Sequence, residues 1–200
     1  MTCLGCKCGN RLSNSCDGQE TEYYFIPKTV LDKHWEDRAF FEIQYSELTT
    51  EIWKCDICDR MMFFDNYSAY VTRSFKQIEA EAIPTEVIKK PHIEGLCYNN
   101  LIFNEVDWYF THRNEQYDEP DYIFFNRMDD EMDKPLLSPK VMFEEVFSGK
   151  NGRFRDWWHA SLYDDYLIFY SPYREEWTKP VRAWKCYKHT IFDEEGKPIH

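Results

Sequence analysis

The sequence predicts an α+β fold: a mostly antiparallel sheet, two or three helices, and a cysteine-bearing knob at the N-terminus. Three observations predict it. Phe, Trp and Tyr make up 18% of the 200 residues, and they gather in short runs with β-branched neighbours, the composition of half-buried strands. Two segments instead carry helical signals. Residues 1–20 hold four cysteines among Gly, Asn, Ser and Asp with no periodic pattern, which reads as loop. A chain of this length buries roughly 70% of its unfolded surface and needs no disulfides to hold a core.

The elements follow in order. Tyr23 to Ile26 is a short strand stopped by Pro27. From Val30 to Ile43, apolar residues at Val30, Leu31, Trp35, Ala39, Phe40 and Ile43 recur at helical spacing, with Thr29 as the cap and Asp32 as its capping-box carboxylate. Glu51 to Lys54, Arg60 to Phe64 and Tyr67 to Gln77 read as three strands joined by the Cys55–Cys58 turn and by Asp65-Asn66. Glu79 to Pro91 is a charged connection with prolines at both 84 and 91, the softest boundary in the chain. Leu101 to Phe110 fits helix or strand, and Asp121 to Asn126 reads as a buried strand. Ser138-Pro139 starts a helix over Lys140 to Phe147 that Gly149 ends. Trp157 to Ser171 forms a hairpin around Asp164-Asp165, and Val181 to Phe192 a final strand.

The cysteines carry the most specific chemistry. Cys55-x-x-Cys58 can direct two sulfurs at one ion, because the amide N–H groups of the intervening turn point at the thiolates. The other half of a tetrahedral set must come from Cys3-Leu4-Gly5-Cys6-Lys7-Cys8-Gly9. Cys3 with Cys6 has the two-residue spacing. Cys6 with Cys8 is tighter, but Gly9 directly follows and supplies the positive φ that a knuckle turn requires. The favoured ligands are therefore Cys6, Cys8, Cys55 and Cys58, with Cys3 as the alternate. The cofactor expected is a structural Zn2+; an iron site or a redox pair are the other uses of such cysteines. Cys16, Cys97 and Cys186 have no partner at ligand spacing and read as small, buried or half-buried side chains.

Cys6 to Gly9 and Trp53 to Asp59 resemble the zinc-ribbon group, in which two cysteine knuckles at the tips of short hairpins share one zinc. The resemblance implies a zinc-ribbon-like knob with a closed, structural metal site. It also implies that the 46 residues between Cys8 and Cys55 are an insertion. Asp59 stands where a second knuckle usually has Gly. On this reading residues 1–78 form a zinc-knuckle module with an inserted helix, and residues 92–200 an α+β portion packed with it as a single domain.

The formal net charge is −12, and Leu101 to Lys150 holds twelve acidic residues against five basic ones. Such a surface repels phosphate backbones and attracts a basic partner. The first twenty residues lack the apolar stretch of a signal peptide, and no apolar run approaches the roughly 20 residues of a membrane span. A cytoplasmic protein with reduced thiols is expected.

Catalytic constellations are not visible. The six histidines form no His-Glu-x-x-His or His-x-His arrangement, and the seven glycines form no phosphate loop. The chain is expected not to be an enzyme. Aromatics crowd the C-terminal part among acidic residues, a pattern suited to gripping a basic protein. In size, acidity and aromatic content the chain resembles bacterial immunity proteins, which plug the active site of a cognate toxin. That resemblance implies a toxin inhibitor acting by protein–protein interaction. Its partner-binding residues would be Glu115, Asp118, Glu119, Asp121, Asp129, Asp130, Glu131 and Asp133, with Trp157, Trp158 and Trp177 as anchors. The alternative is a zinc-ribbon module in nucleic-acid or transcription/translation assemblies, using Lys7, Arg11, Lys54 and Arg60 as a basic spot.

Overall fold

A computed structural model describes residues 3–13, 21–35, 43, 49–64, 70–99, 157–170, 179–193 and 197–199. Its centre is a closed barrel of eight antiparallel strands. The first four are β3 (Glu22–Pro27), β4 (Thr50–Lys54), β5 (Met61–Phe64) and β6 (Val71–Ile78). The second four are β7 (Ile93–Asn99), β8 (Trp157–Leu162), β9 (Tyr166–Tyr170) and β10 (Pro180–His189). Each group of four is a meander. The two meanders are joined at both edges, first strand to first (β3 with β7) and last to last (β6 with β10). The soft connection at 79–91 lies between them, and strands from both sides of it share the one barrel. It contains a 3₁₀ turn at Ala80–Ala82 and the four-residue helix α2 (Thr85–Ile88).

This overturns the α+β expectation. Among the described residues two helices are complete and both are short, α2 and the six-residue α1 (Lys28–Lys33), with Ile43 a single further helical residue. The α1 N-cap position is taken by Pro27, with no side-chain cap bond, so Thr29 lies inside the helix and does not cap it. The reason is tertiary. Alternation along a strand shows that it has two faces, but not that the sheet closes on itself. The expected strand at 121–126, the helix at 140–147, the ambiguous segment at 101–110 and most of 36–48 lie outside the described residues.

Period-two alternation builds three apolar layers. Phe25, Ile52, Phe63, Phe75, Phe169 and Trp184 point into the barrel and fill it, as side chains do in an eight-stranded barrel. On the outer face of β9, Tyr166, Ile168 and Tyr170 are covered by Ile83 and Val87 of the 79–91 connection. On the outer face of β4 and β5, Trp53, Met62 and Phe64 are covered by the N-terminal hairpin of β1 (Cys3–Gly5) and β2 (Arg11–Ser13) through Leu12 and Leu4. A last small hairpin pairs β11 (Ile191–Phe192) with β12 (Pro198–Ile199). The expected hairpin around Asp164-Asp165 is present between β8 and β9. No helix among the described residues is long and apolar enough to cross a membrane.

Candidate metal centre

Two knuckles face each other at one rim of the barrel. The first is the turn between β1 and β2, where Cys6 N donates to Asn10 O at 2.8 Å and Gly9 N to Cys6 O at 2.9 Å. Gly9 adopts φ +95°, the conformation that glycine alone takes without strain. The second is the turn between β4 and β5, where Cys55 N donates to Arg60 O at 2.8 Å and Asp59 N to Cys55 O at 2.9 Å. Asp59 has φ +53°, so it occupies the left-handed position that a glycine would otherwise fill. Three contacts hold it there. Its N–H bonds Cys55, its carbonyl accepts the Trp184 indole N–H at 2.7 Å, and its carboxylate meets Lys54 Nζ at 2.8 Å.

This geometry brings Cys6, Cys8, Cys55 and Cys58 together, with all four sulfurs within 4.8 Å of one another. Cys6 Sγ lies 3.5 Å from Cys58 Sγ, and Cys8 Sγ lies 3.6 Å from Cys55 Sγ. A tetrahedral ion with metal–sulfur bonds of about 2.3 Å needs sulfurs roughly 3.7 Å apart, so the cluster has the size of a metal site. Cys6 and Cys55 are buried while Cys8 is exposed. The four cysteines therefore form a centre able to hold a metal ion, in a zinc-ribbon-like arrangement of two hairpin tips.

The surroundings of Cys55 favour its thiolate. Burial is the largest influence on Cys55 and pushes its pKa up. The side-chain amide of Asn10 and the backbone N–H groups of Cys58 and Ile57 together outweigh it and bring the thiol down to about 7. Cys58 goes the other way: burial raises it, opposed by the Arg60 backbone, and the Cys6 contact raises it further. Arg60 Nη1 also donates to Cys58 Sγ at 3.2 Å. Asn10 Nδ2 reaches Cys55 Sγ at 3.6 Å and Asp56 Oδ1 at 2.7 Å, tying the first knuckle to the second.

Cys3, the alternate ligand, stands outside the cluster. Its sulfur takes Arg11 Nη2 at 3.3 Å and lies 3.8 Å from Ser13 Oγ. Cys97 is buried in the barrel, where desolvation pushes its thiol up, and Cys186 is half-buried. Cys16 lies outside the described residues.

Of the expected partner-binding residues, Glu115, Asp118, Glu119, Asp121, Asp129, Asp130, Glu131, Asp133 and Trp177 lie outside the described residues, as does the side chain of Trp157. Trp158 is placed, and it is half-buried against the barrel core. Its ring stacks on Phe169 at 5.9 Å and carries the Arg182 guanidinium at 5.0 Å, so it packs within the fold. Of the expected basic spot, Lys54 and Arg60 are engaged by Asp59 and Cys58, and Arg11 by Cys3. Lys7 lies over the exposed ring of Tyr187 at 5.0 Å, with Arg60 5.9 Å from the same ring. Sequence reasoning missed Asn10, Tyr187 and Trp184 as neighbours of the centre. Asn10 looks like any loop residue, and the other two come from β10, more than 100 residues away.

The fold and the centre together define a closed antiparallel β-barrel with a four-cysteine site pinning a hairpin to its outer face. A family described as a domain of unknown function (DUF8617) matches residues 3–91, which include both knuckles and the whole first meander. No curated protein and no solved structure matches the chain.

Proposed function

We propose that Cys6, Cys8, Cys55 and Cys58 hold a structural zinc ion, and that the protein is a non-catalytic binding protein built on this zinc-clamped barrel. The observation that carries the reading is the convergence of four sulfurs at tetrahedral spacing. Four thiolates leave no coordination position for water or substrate, so an ion here shapes the fold and does not activate a reactant. Such a set suits zinc or iron, and a zinc site is colourless. Four reduced thiols also fit a reducing compartment such as the cytoplasm. The test is metal analysis of the reduced, full-length protein. One tightly held zinc, lost in Cys6→Ser and Cys58→Ser, supports the reading; a coloured iron protein, or zinc retained in both variants, defeats it.

For the partner, the acidic excess between Leu101 and Lys150 supports a basic protein, and a cytoplasmic immunity protein that neutralises a cognate toxin, such as a nuclease, is the reading in keeping with it. Co-expression with the products of neighbouring genes tests it. A stable complex with a basic toxin that loses its activity supports the proposal, and the absence of any such complex defeats it.

One observation favours a second reading. Lys7 and Arg60 gather at the exposed Tyr187 beside the centre, and Lys188 follows Tyr187 in the sequence of β10. A cationic patch with an aromatic ring suits single-stranded nucleic acid. Lys54 and Arg60 are poor test positions because both brace the second knuckle. A salt-dependent gel shift on mixed DNA or RNA, abolished by Lys7→Glu with Lys188→Glu, supports this reading; no shift at low salt removes it.

A further inference from the structure

We propose that Asp165, Cys186 and His189 form a second, open site for a divalent cation of the zinc type, separate from the four-cysteine centre. Their donor atoms all lie within 4.8 Å of one another. His189 Nε2 is 3.1 Å from Asp165 Oδ1, close to the roughly 3.3 Å edge that nitrogen and oxygen ligands make around tetrahedral zinc.

The backbone builds this cluster. Cys186 and His189 are three apart on β10, so a regular strand would send them to opposite faces. The pairing of β10 with β6 slips between Cys186 and Lys188, with Cys186 opposite Phe75 and Lys188 opposite Ser74. That bulge takes up Tyr187 as the extra residue and brings Cys186 and His189 back to one side. Asp165 is delivered by the β8–β9 turn, and Cys186 N donates to Asp165 O at 2.8 Å. Arg73 Nη1 holds the same turn through the carbonyls of Tyr163 and Asp164, at 3.4 Å each.

A sulfur, an imidazole nitrogen and a carboxylate oxygen are a mixed set that suits zinc and its close analogues over magnesium or calcium. Only three protein donors converge among the described residues, and the side chains of Asp165 and His189 are 63% and 52% exposed. The fourth position is therefore open to water or a small anionic ligand, unlike that of the closed thiolate centre. Cys186 Sγ lies 3.3 Å from Lys188 O, to which it donates. Metal binding replaces that proton, which leaves to solvent as the metal–sulfur bond forms.

Co2+ titration of the reduced, metal-free full-length protein tests the site, read by visible absorption and by bound metal after gel filtration. The wild type is expected to bind two ions, the second with the spectrum of a mixed single-thiolate site. Cys186→Ser and His189→Gln should each bind one, with the four-thiolate spectrum unchanged. Asp165→Asn should weaken the second ion by at least about tenfold. Because His189 and Asp165 are exposed, their variants test the site without threatening the fold. A wild type that stops at one ion, or a second ion that survives both Cys186→Ser and His189→Gln, overturns the proposal. Cys6→Ser, which removes the first site, should leave the second intact, so failure of one site is distinguishable from failure of the other.

Discussion

Replacing Gly9 with alanine should weaken metal binding without any steric clash. A Cβ built at Gly9 meets nothing within 4 Å, so the whole effect comes from the backbone at φ +95°. Holding an L-residue in left-handed geometry costs about 1–2 kcal/mol, and the reduced freedom of the unfolded chain returns only part of that. The turn must keep this conformation for Cys6 and Cys8 to reach the other two sulfurs, so the cost falls on the metal-competent state. A penalty of one or two kcal/mol is a factor of about 5–30 in an equilibrium, and zinc affinity should fall by that much. Competition with a chromogenic chelator under reducing conditions measures it. Gly5→Ala is the matched control, since Gly5 lies in β1 with open space around it and no positive φ; its affinity should stay within twofold of wild type. Equal affinities for Gly9→Ala and wild type, or equal losses in the two variants, would refute the reasoning.

Three further outcomes follow from the same geometry. Asp59→Gly should be nearly neutral, because relief of the left-handed strain offsets an ion pair with Lys54 worth up to ~1 kcal/mol, and the backbone bonds to Cys55 and from Trp184 survive; Asp59→Ala keeps the strain and loses the ion pair, so it should cost up to ~1 kcal/mol in denaturant titration. Gly95→Ala should cost about 1–3 kcal/mol or more of global stability, since its Cβ would collide with the Ile26 carbonyl oxygen and sit 2.7 Å from Phe25 Cζ in the β3–β7 pairing; an unchanged denaturation midpoint would show that the strands do not approach so closely. Burial lowers the pKa of His159 to about 4, against about 6.5 in the unfolded chain. The unfolded state therefore binds the extra proton first. Stability is full above pH 6.5 and declines as pH falls towards 4. The drop should be about 1–2 kcal/mol after allowance for the ring's partial exposure, and His159→Gln should flatten that part of the stability–pH curve.

The local signals in the chain were readable because they depend on a few neighbouring residues. Cys55-x-x-Cys58 and Cys6-x-Cys8-Gly9 announce knuckles through spacing and through the glycine, and the structure puts Gly9 at positive φ. Asp164-Asp165 marks a turn between two aromatic strands, and Tyr23 to Ile26 lies within β3. What could not be read depends on pairings far apart in the chain. Closure of the barrel needs β6 to find β10 across more than 100 residues. The Asp165, Cys186 and His189 cluster needs a one-residue slip in that same pairing, which no periodicity shows. From sequence, Trp158 is an anchor candidate because aromatics crowd among acids there; its half-buried ring stacks on Phe169 and has the Arg182 guanidinium over it.

The closed barrel also changes what the metal centre does. In a free-standing knob, a thiolate-bound ion would be the whole core. Here the second knuckle is the tip of a barrel hairpin whose strands β4 and β5 are already held by β3 and β6. Only the first knuckle would depend on a bound ion. The strands β1 and β2 are three residues each, too short to persist as an isolated hairpin, and their apolar contribution is chiefly Leu12 and Leu4 over Trp53, Met62 and Phe64. An ion bound at the four cysteines would act together with that small apolar layer to keep the hairpin over the outer face of β4 and β5. Losing the metal should uncover Trp53, now 1% exposed, while the barrel ladder stays paired. The hairpin also carries Lys7 to the Tyr187 ring, so an ion bound at the centre would fix that lysine beside the ring, while Arg60 reaches it from the second knuckle.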